Sequence, residues 1–108
     1  MRKLVDEFVR TANAFDVEGA LALFTPDAVI DDVSVGDSFV GEAGIRSYLE
    51  RFFVGYNTQS RLLSIKQMDT GTATIRLDFT GDFGHEIGVL TLVSGKGGRI
   101  SRIDADLE

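Results

Sequence analysis

A chain of 108 residues, 44% of them hydrophobic, is long enough for one domain with a core and too apolar for a disordered segment. A net charge of −6, spread in runs of no more than two or three residues, argues against nucleic acid or an anionic membrane as partner. The absence of cysteine excludes disulfides, thiol nucleophiles and thiolate metal sites, and a single histidine, His85, speaks against a histidine-rich metal centre. No metal or other cofactor is therefore expected. Met1-Arg2-Lys3-Leu4-Val5 runs at once into Asp6-Glu7, so no apolar leader is read, and no apolar run approaches membrane-spanning length. The expectation is a soluble cytoplasmic protein.

Leu4, Val5, Phe8, Val9, Ala12 and Phe15 recur at helical spacing against Asp6, Glu7, Arg10 and Asn13, which predicts a helix over about residues 2–14. Asp16 reads as the N-cap of a second helix, Val17 to Phe24, stopped by Pro26. Ala28 to Val33 reads as a strand, with Ala28, Ile30 and Asp32 on one face and Val29, Asp31 and Val33 on the other. Val35-Gly36-Asp37 begins a turn, Ser38 to Gly41 returns, and Phe39 and Val40 form a short strand. Ile45, Tyr48, Leu49 and Phe52 then predict a third helix from about Glu42 to Phe53, ended by Gly55 and Asn57.

From Thr58 the apolar period changes from 3.6 to 2. Arg61 to Met68 is a strand closed by the hairpin signal Asp69-Thr70-Gly71. Thr72 to Phe83 alternates cleanly, with Ala73, Ile75, Leu77, Phe79, Gly81 and Phe83 on one face. Glu86 to Ser94 is apolar on both faces and reads as a central strand. Gly95-Lys96-Gly97-Gly98 is a further turn, and Arg99 to Leu107 closes the sheet, with Ile100 out of phase as at a bulge. Helices first and an antiparallel meander after them make an α+β domain over residues 1–108, in which a bent sheet wrapped around the helices encloses a conical pocket. Helices cover only one sheet face, so a homodimer through the other is expected.

The run Phe8-Val9-Arg10-Thr11-Ala12-Asn13-Ala14-Phe15-Asp16-Val17-Glu18-Gly19-Ala20-Leu21-Ala22-Leu23-Phe24-Thr25-Pro26-Asp27-Ala28-Val29-Ile30-Asp31-Asp32, followed by Gly41-Glu42-Ala43-Gly44-Ile45-Arg46, resembles the nuclear transport factor 2-like superfamily. Within it the pattern is most like SnoaL-like (polyketide cyclase-like) proteins and bacterial ketosteroid isomerases. The resemblance implies a cystatin-like, cone-shaped α+β fold: three N-terminal helices packed on a strongly curved, mixed, mainly antiparallel sheet. It also implies dimerisation through that sheet. Asp32 falls where the isomerases place the general base that moves a proton between carbons next to a ketone. Phe8 falls where they place a tyrosine donor, and Gly88 or Leu90 where they keep a protonated aspartic acid, so neither oxyanion donor is retained. Limonene-epoxide hydrolases of the same fold carry an aspartate–arginine–aspartate set. Arg76-Leu77-Asp78 and Asp104 resemble it, although the alternation sets Arg76 and Asp78 opposite Leu77 and Phe79, as for an exposed or dimer-face ion pair. The tyrosine and asparagine that hold water in those enzymes fall at Ile30 and Asp32.

Each candidate has a structural reading beside the functional one. Asp32 is either a buried, proton-accepting carboxylate or the cap of the turn from Ser34 to Asp37. His85 is a surface residue at a hairpin end or an acid/base group at the pocket rim. Tyr48 is a core residue with its hydroxyl at the pocket mouth. Phe8, Phe24, Leu49, Phe52, Phe79, Leu90, Ile103 and Leu107 bind substrate if a cavity is left among them and are plain core otherwise. Two functions stand: a cofactor-independent proton-transfer enzyme acting on a small apolar carbonyl compound with Asp32 as base, or a non-catalytic small-ligand-binding or dimeric accessory domain.

Overall fold

The computed structural model describes all of Met1–Glu108. Three helices come first: α1 (Arg2–Asn13), α2 (Val17–Leu21) and, after the first hairpin, α3 (Gly41–Leu49), which continues into a π-helical turn, Glu50–Val54. The strands are β1 (Phe24–Asp32), β2 (Asp37–Val40), β3 (Gln59–Asp69), β4 (Thr72–Gly81), β5 (Gly84–Ser94) and β6 (Ile100–Leu107). They form one mixed sheet in the order β2-β1-β6-β5-β4-β3. β3 to β6 are the antiparallel meander, and β1 joins it by pairing parallel to β6. The α+β class and the three-helix cover follow the expectation from periodicity.

The second helix is shorter than its apolar run suggests. Asp16 caps it as expected, its Oδ1 accepting from Gly19 N at 2.9 Å, but α2 ends at Leu21 and Phe24 already lies in β1. Pro26 is thus inside a strand rather than a helix stop. It falls where the register jumps from Phe24↔Ile100 to Val29↔Arg102, and a proline's missing N–H is tolerated at such a bulge. The bulge read at Ile100 is also present: Ser94 pairs with Ile100 and Val93 with Arg102, leaving Ser101 over. Further register shifts interrupt β3 against β4, and such interruptions bend a sheet.

The third helix departs from a plain 3.6 period near its end. Ile45, Tyr48 and Leu49 are buried as predicted; within the π-turn Phe53 is buried and Phe52 half-buried. Asn13, read as a solvent-facing polar residue, instead clamps α1 to the edge strand β3. Its Nδ2 donates to Ser60 O at 2.9 Å and its Oδ1 accepts from Ser60 N at 2.7 Å. Inside the cone, Phe8, Ile30, Ile45, Leu49, Ile75, Leu77, Leu92 and Ile103 are almost wholly buried in one cluster.

Candidate functional site

Two concavities compete for attention. A depression of about 650 Å³ lies on the outer side of α3, but Glu42, Arg46, Ser47, Glu50 and Arg51 make it a solvated, charged surface. The other, about 260 Å³, opens between the π-turn and the inner face of the sheet, and eight of its twelve lining residues are apolar or aromatic. The second has the concave, mostly apolar character of a small-molecule site, at the small end of the usual range.

Asp32 provides its one buried acid. The alternation of β1 turns Ala28, Ile30 and Asp32 inward, and Asp32 is only 6% exposed. Oδ1 accepts from Ser34 N at 2.9 Å and from Ser34 Oγ at 2.6 Å, so Asp32 does cap the turn that follows β1. Oδ2 accepts from the Tyr48 hydroxyl at 2.6 Å. A carboxylate offers about four acceptor positions. Three are filled, and the fourth, on Oδ2, is left for the cavity that Asp32 lines. Turn cap and cavity group are therefore one residue using its two oxygens separately.

Tyr48 is brought there by α3, with its ring against Phe39, Phe52 and Phe53 at centroid distances of 5.0, 5.1 and 6.2 Å. Burial, then the charge of Asp32 and the hydrogen bond to it, push the phenol well above its usual range, so Tyr48 keeps its proton. Thr58 Oγ1 donates to Phe52 O at 2.6 Å and ties off the π-turn. Of the four lining hydroxyls, Ser34, Tyr48 and Thr58 have thus committed their protons, and that of Tyr56 makes no bond within the protein.

The aromatic walls form a continuous series. Phe79 meets Phe53 at 6.1 Å, Phe53 meets Tyr48, Tyr48 meets Phe52, Phe52 meets Tyr56 at 6.3 Å, and Tyr56 meets Phe83 at 6.0 Å. The last contact depends on Gly81: a Cβ there would lie 2.7 Å from Tyr56 O, so glycine lets the β4–β5 hairpin close on the chain after the π-turn. Asp82 N donates to Tyr56 O at 2.8 Å and holds that approach. Val35, Tyr56, Phe83 and Leu107, each more than a third exposed, surround the mouth.

Of the residues singled out from sequence, Asp32, Tyr48, Phe52, Phe79 and Leu107 line the cavity. Phe8, Phe24, Leu49, Leu90 and Ile103 lie in the packed core beneath it, Phe8 wedged between Phe24 and Phe53. His85 is turned to the opposite sheet face, where it meets Asp78 at 2.5 Å. Arg61 donates to the same Asp78 and, more than His85, holds its carboxyl below the usual carboxylate range. Arg76 and Asp78 do not pair with each other: Arg76 holds Glu108, and Asp104 holds Arg102. None of them lines the cavity. At Gly88 a Cβ would lie 2.3 Å from Phe79 Cε2, so the space a second acidic donor would need is filled by the Phe79 ring. No group of three or more His, Asp or Glu side chains is placed to hold a metal ion, and no helix is long and apolar enough to cross a membrane.

Sequence reasoning missed Ser34, Val35, Phe53, Tyr56, Thr58, Phe83 and Glu86 as lining residues. Phe83 and Glu86 carried a usable signal, since both share the inward parity of their strands. Phe53 and Tyr56 carried one too, since Phe53 stands four residues beyond Leu49 and Tyr56 four beyond Phe52.

The family model of the SnoaL-like domain matches residues 5–105. Among solved structures, a candidate ketosteroid isomerase from Kribbella flavida superposes with a TM-score of 0.87 at 19% identity, covering 99% of this chain and 76% of that one. The epoxide hydrolase/cyclase-like enzyme SalBIII, described for pyran ring formation in the polyether salinomycin, gives 0.85 at 20% identity over 99% and 89%. A Mycobacterium tuberculosis protein in complex with estradiol-17β-hemisuccinate gives 0.83 at 19% identity over 94% and 88%. At these identities the likeness shows the fold. No curated protein matches the chain significantly.

Proposed function

Because this chain belongs to the SnoaL-like domain family, we propose that its cavity is a cofactor-independent acid/base site acting on a small, largely apolar carbonyl compound. Asp32 is the proton acceptor. The observation that carries the reading is the open acceptor position on a buried Asp32 Oδ2 in a mostly apolar cavity. A carbon acid held with its C–H against Oδ2 gives up the proton there, and the electron pair passes into the carbonyl to form an enolate. The proton then returns to carbon.

Phe8 cannot donate to the developing oxygen, and a donor at Gly88 has no room. Tyr48 supports the step instead. As Oδ2 takes a proton its hold on the Tyr48 hydroxyl weakens, and a phenol whose proton is retained by burial is then free to turn toward the enolate oxygen. The second reading, a binding domain without turnover, is favoured by the resting arrangement, in which Tyr48, Ser34 and Thr58 have no proton to spare.

Deuterium exchange separates the two. Small cyclic and aryl ketones incubated with the protein in D2O should take up deuterium next to the carbonyl, followed by NMR. Asp32→Asn should slow that uptake by about 10²–10⁴-fold, the usual contribution of a positioned base. Ketones that bind but exchange no faster with the wild type than with Asp32→Asn would leave the binding reading alone.

A further inference from the structure

The lining has a charge and hydrogen-bond polarity that selects its ligand more narrowly than apolar shape does. Its two ionisable acids are Asp32 and Glu86, and no lysine, arginine or histidine lines it. Glu86 lies directly across the β4–β5 ladder from Phe79 and forms no ion pair. Three of the four hydroxyls have given their protons to protein acceptors, so toward the cavity they present lone pairs. A carboxylate ligand would meet two like charges and almost no donor. A cationic N–H group finds acceptors, opposite charge and the unbroken aromatic series from Phe79 to Phe83.

We propose that the cavity selects small organic ammonium compounds: an apolar body of about ten heavy atoms bearing one cationic amine. Two independent features point the same way. The carboxylates offset the cost of taking a charge out of water, and aromatic side chains attract cations through their ring quadrupoles. Phe52 already displays that tendency, with the Arg51 guanidinium carbon 5.0 Å from its ring centroid; Arg51 itself lines the outer depression and not this cavity. A cavity of about 260 Å³ suits a small ligand of this kind. The inference rests on the same cavity as the proton-transfer reading and specifies its substrate as a carbonyl compound that carries an amine. Such an ammonium group would also supply the positive charge near the enolate that the protein lacks.

The test is titration of the full chain with three probes of closely similar size: 2-phenylethylammonium, 2-phenylethanol and phenylacetate. Binding is read by calorimetry and its position by amide shifts. The ammonium should bind at least about tenfold more tightly than the alcohol and the carboxylate more weakly than either, with shifts centred on Asp32, Tyr48 and Phe83. Glu86→Gln and Asp32→Asn should each weaken the ammonium several-fold, and by more than they weaken the alcohol. Glu86 is exposed, so its variant carries the test if Asp32→Asn fails to fold. An alcohol that binds as well as the ammonium, shifts confined to the charged outer side of α3, or an ammonium affinity indifferent to the substitutions overturns the proposal. Ammonium selectivity without deuterium exchange, even into aryl ketones that carry an amine, would sink only the proton-transfer reading. Exchange without ammonium selectivity would sink only this one.

Discussion

The two oxygens of Asp32 have different partners, and that division sets what each neighbour is for. Ser34 saturates Oδ1 through its N–H and hydroxyl, fixing the carboxylate plane and the turn together. Tyr48 alone holds Oδ2. Tyr48→Phe keeps the ring packing but leaves Oδ2, in a residue 6% exposed, without its donor. A hydrogen bond to a charged group contributes about 1.5–3 kcal/mol, and urea unfolding of Tyr48→Phe should show a loss of that size. A change below about 0.5 kcal/mol would mean that water reaches Oδ2 and that the site is wetter than its walls suggest.

Among the elements, the π-turn after α3 has the largest consequence for the site. Phe52 and Phe53, consecutive in that turn, both line the cavity. α1 is held at its C-terminal end by Asn13 on the Ser60 backbone, which also satisfies groups that edge strand β3 would otherwise leave unpaired. Asn13→Ala removes both bonds at once. It should cost about 1–3 kcal/mol by denaturant unfolding and raise amide exchange at the start of β3. Unaltered exchange at Ser60 would show that the clamp is dispensable.

For the whole molecule, the cone leaves one sheet face uncovered. Ile87, Val89, Thr91 and Val93 of β5 stand outward and half-buried, flanked by the polar side chains of β4 and β6, while Gly88, Leu90 and Leu92 face the core. We propose that two copies associate through this face. The solution mass should be twice 11.8 kDa by light scattering at micromolar concentration, and Val89→Lys should return it to the single-chain value. A wild-type mass of one chain would show that the outward valines and isoleucine are tolerated in water.

Periodicity in the chain determined the class of fold, the number of helices, the strands of the meander, the inward parity of Asp32 and Tyr48, and the bulge beside Ile100. Each follows from interactions between near neighbours, where a period of 2 or 3.6 maps directly onto a face. Tertiary structure decided what depends on distant contacts. Phe24 reads as the end of a helix but pairs with Ile100 in the parallel ladder with β6, a partner too distant in the chain for local spacing to show. Phe8, Leu90 and Ile103 are filled core while Tyr56 and Phe83 edge a cavity, although all five are apolar or aromatic. Whether apolar side chains close on one another or leave a space is set by how far the bent sheet stands from the helices. No local spacing encodes that distance.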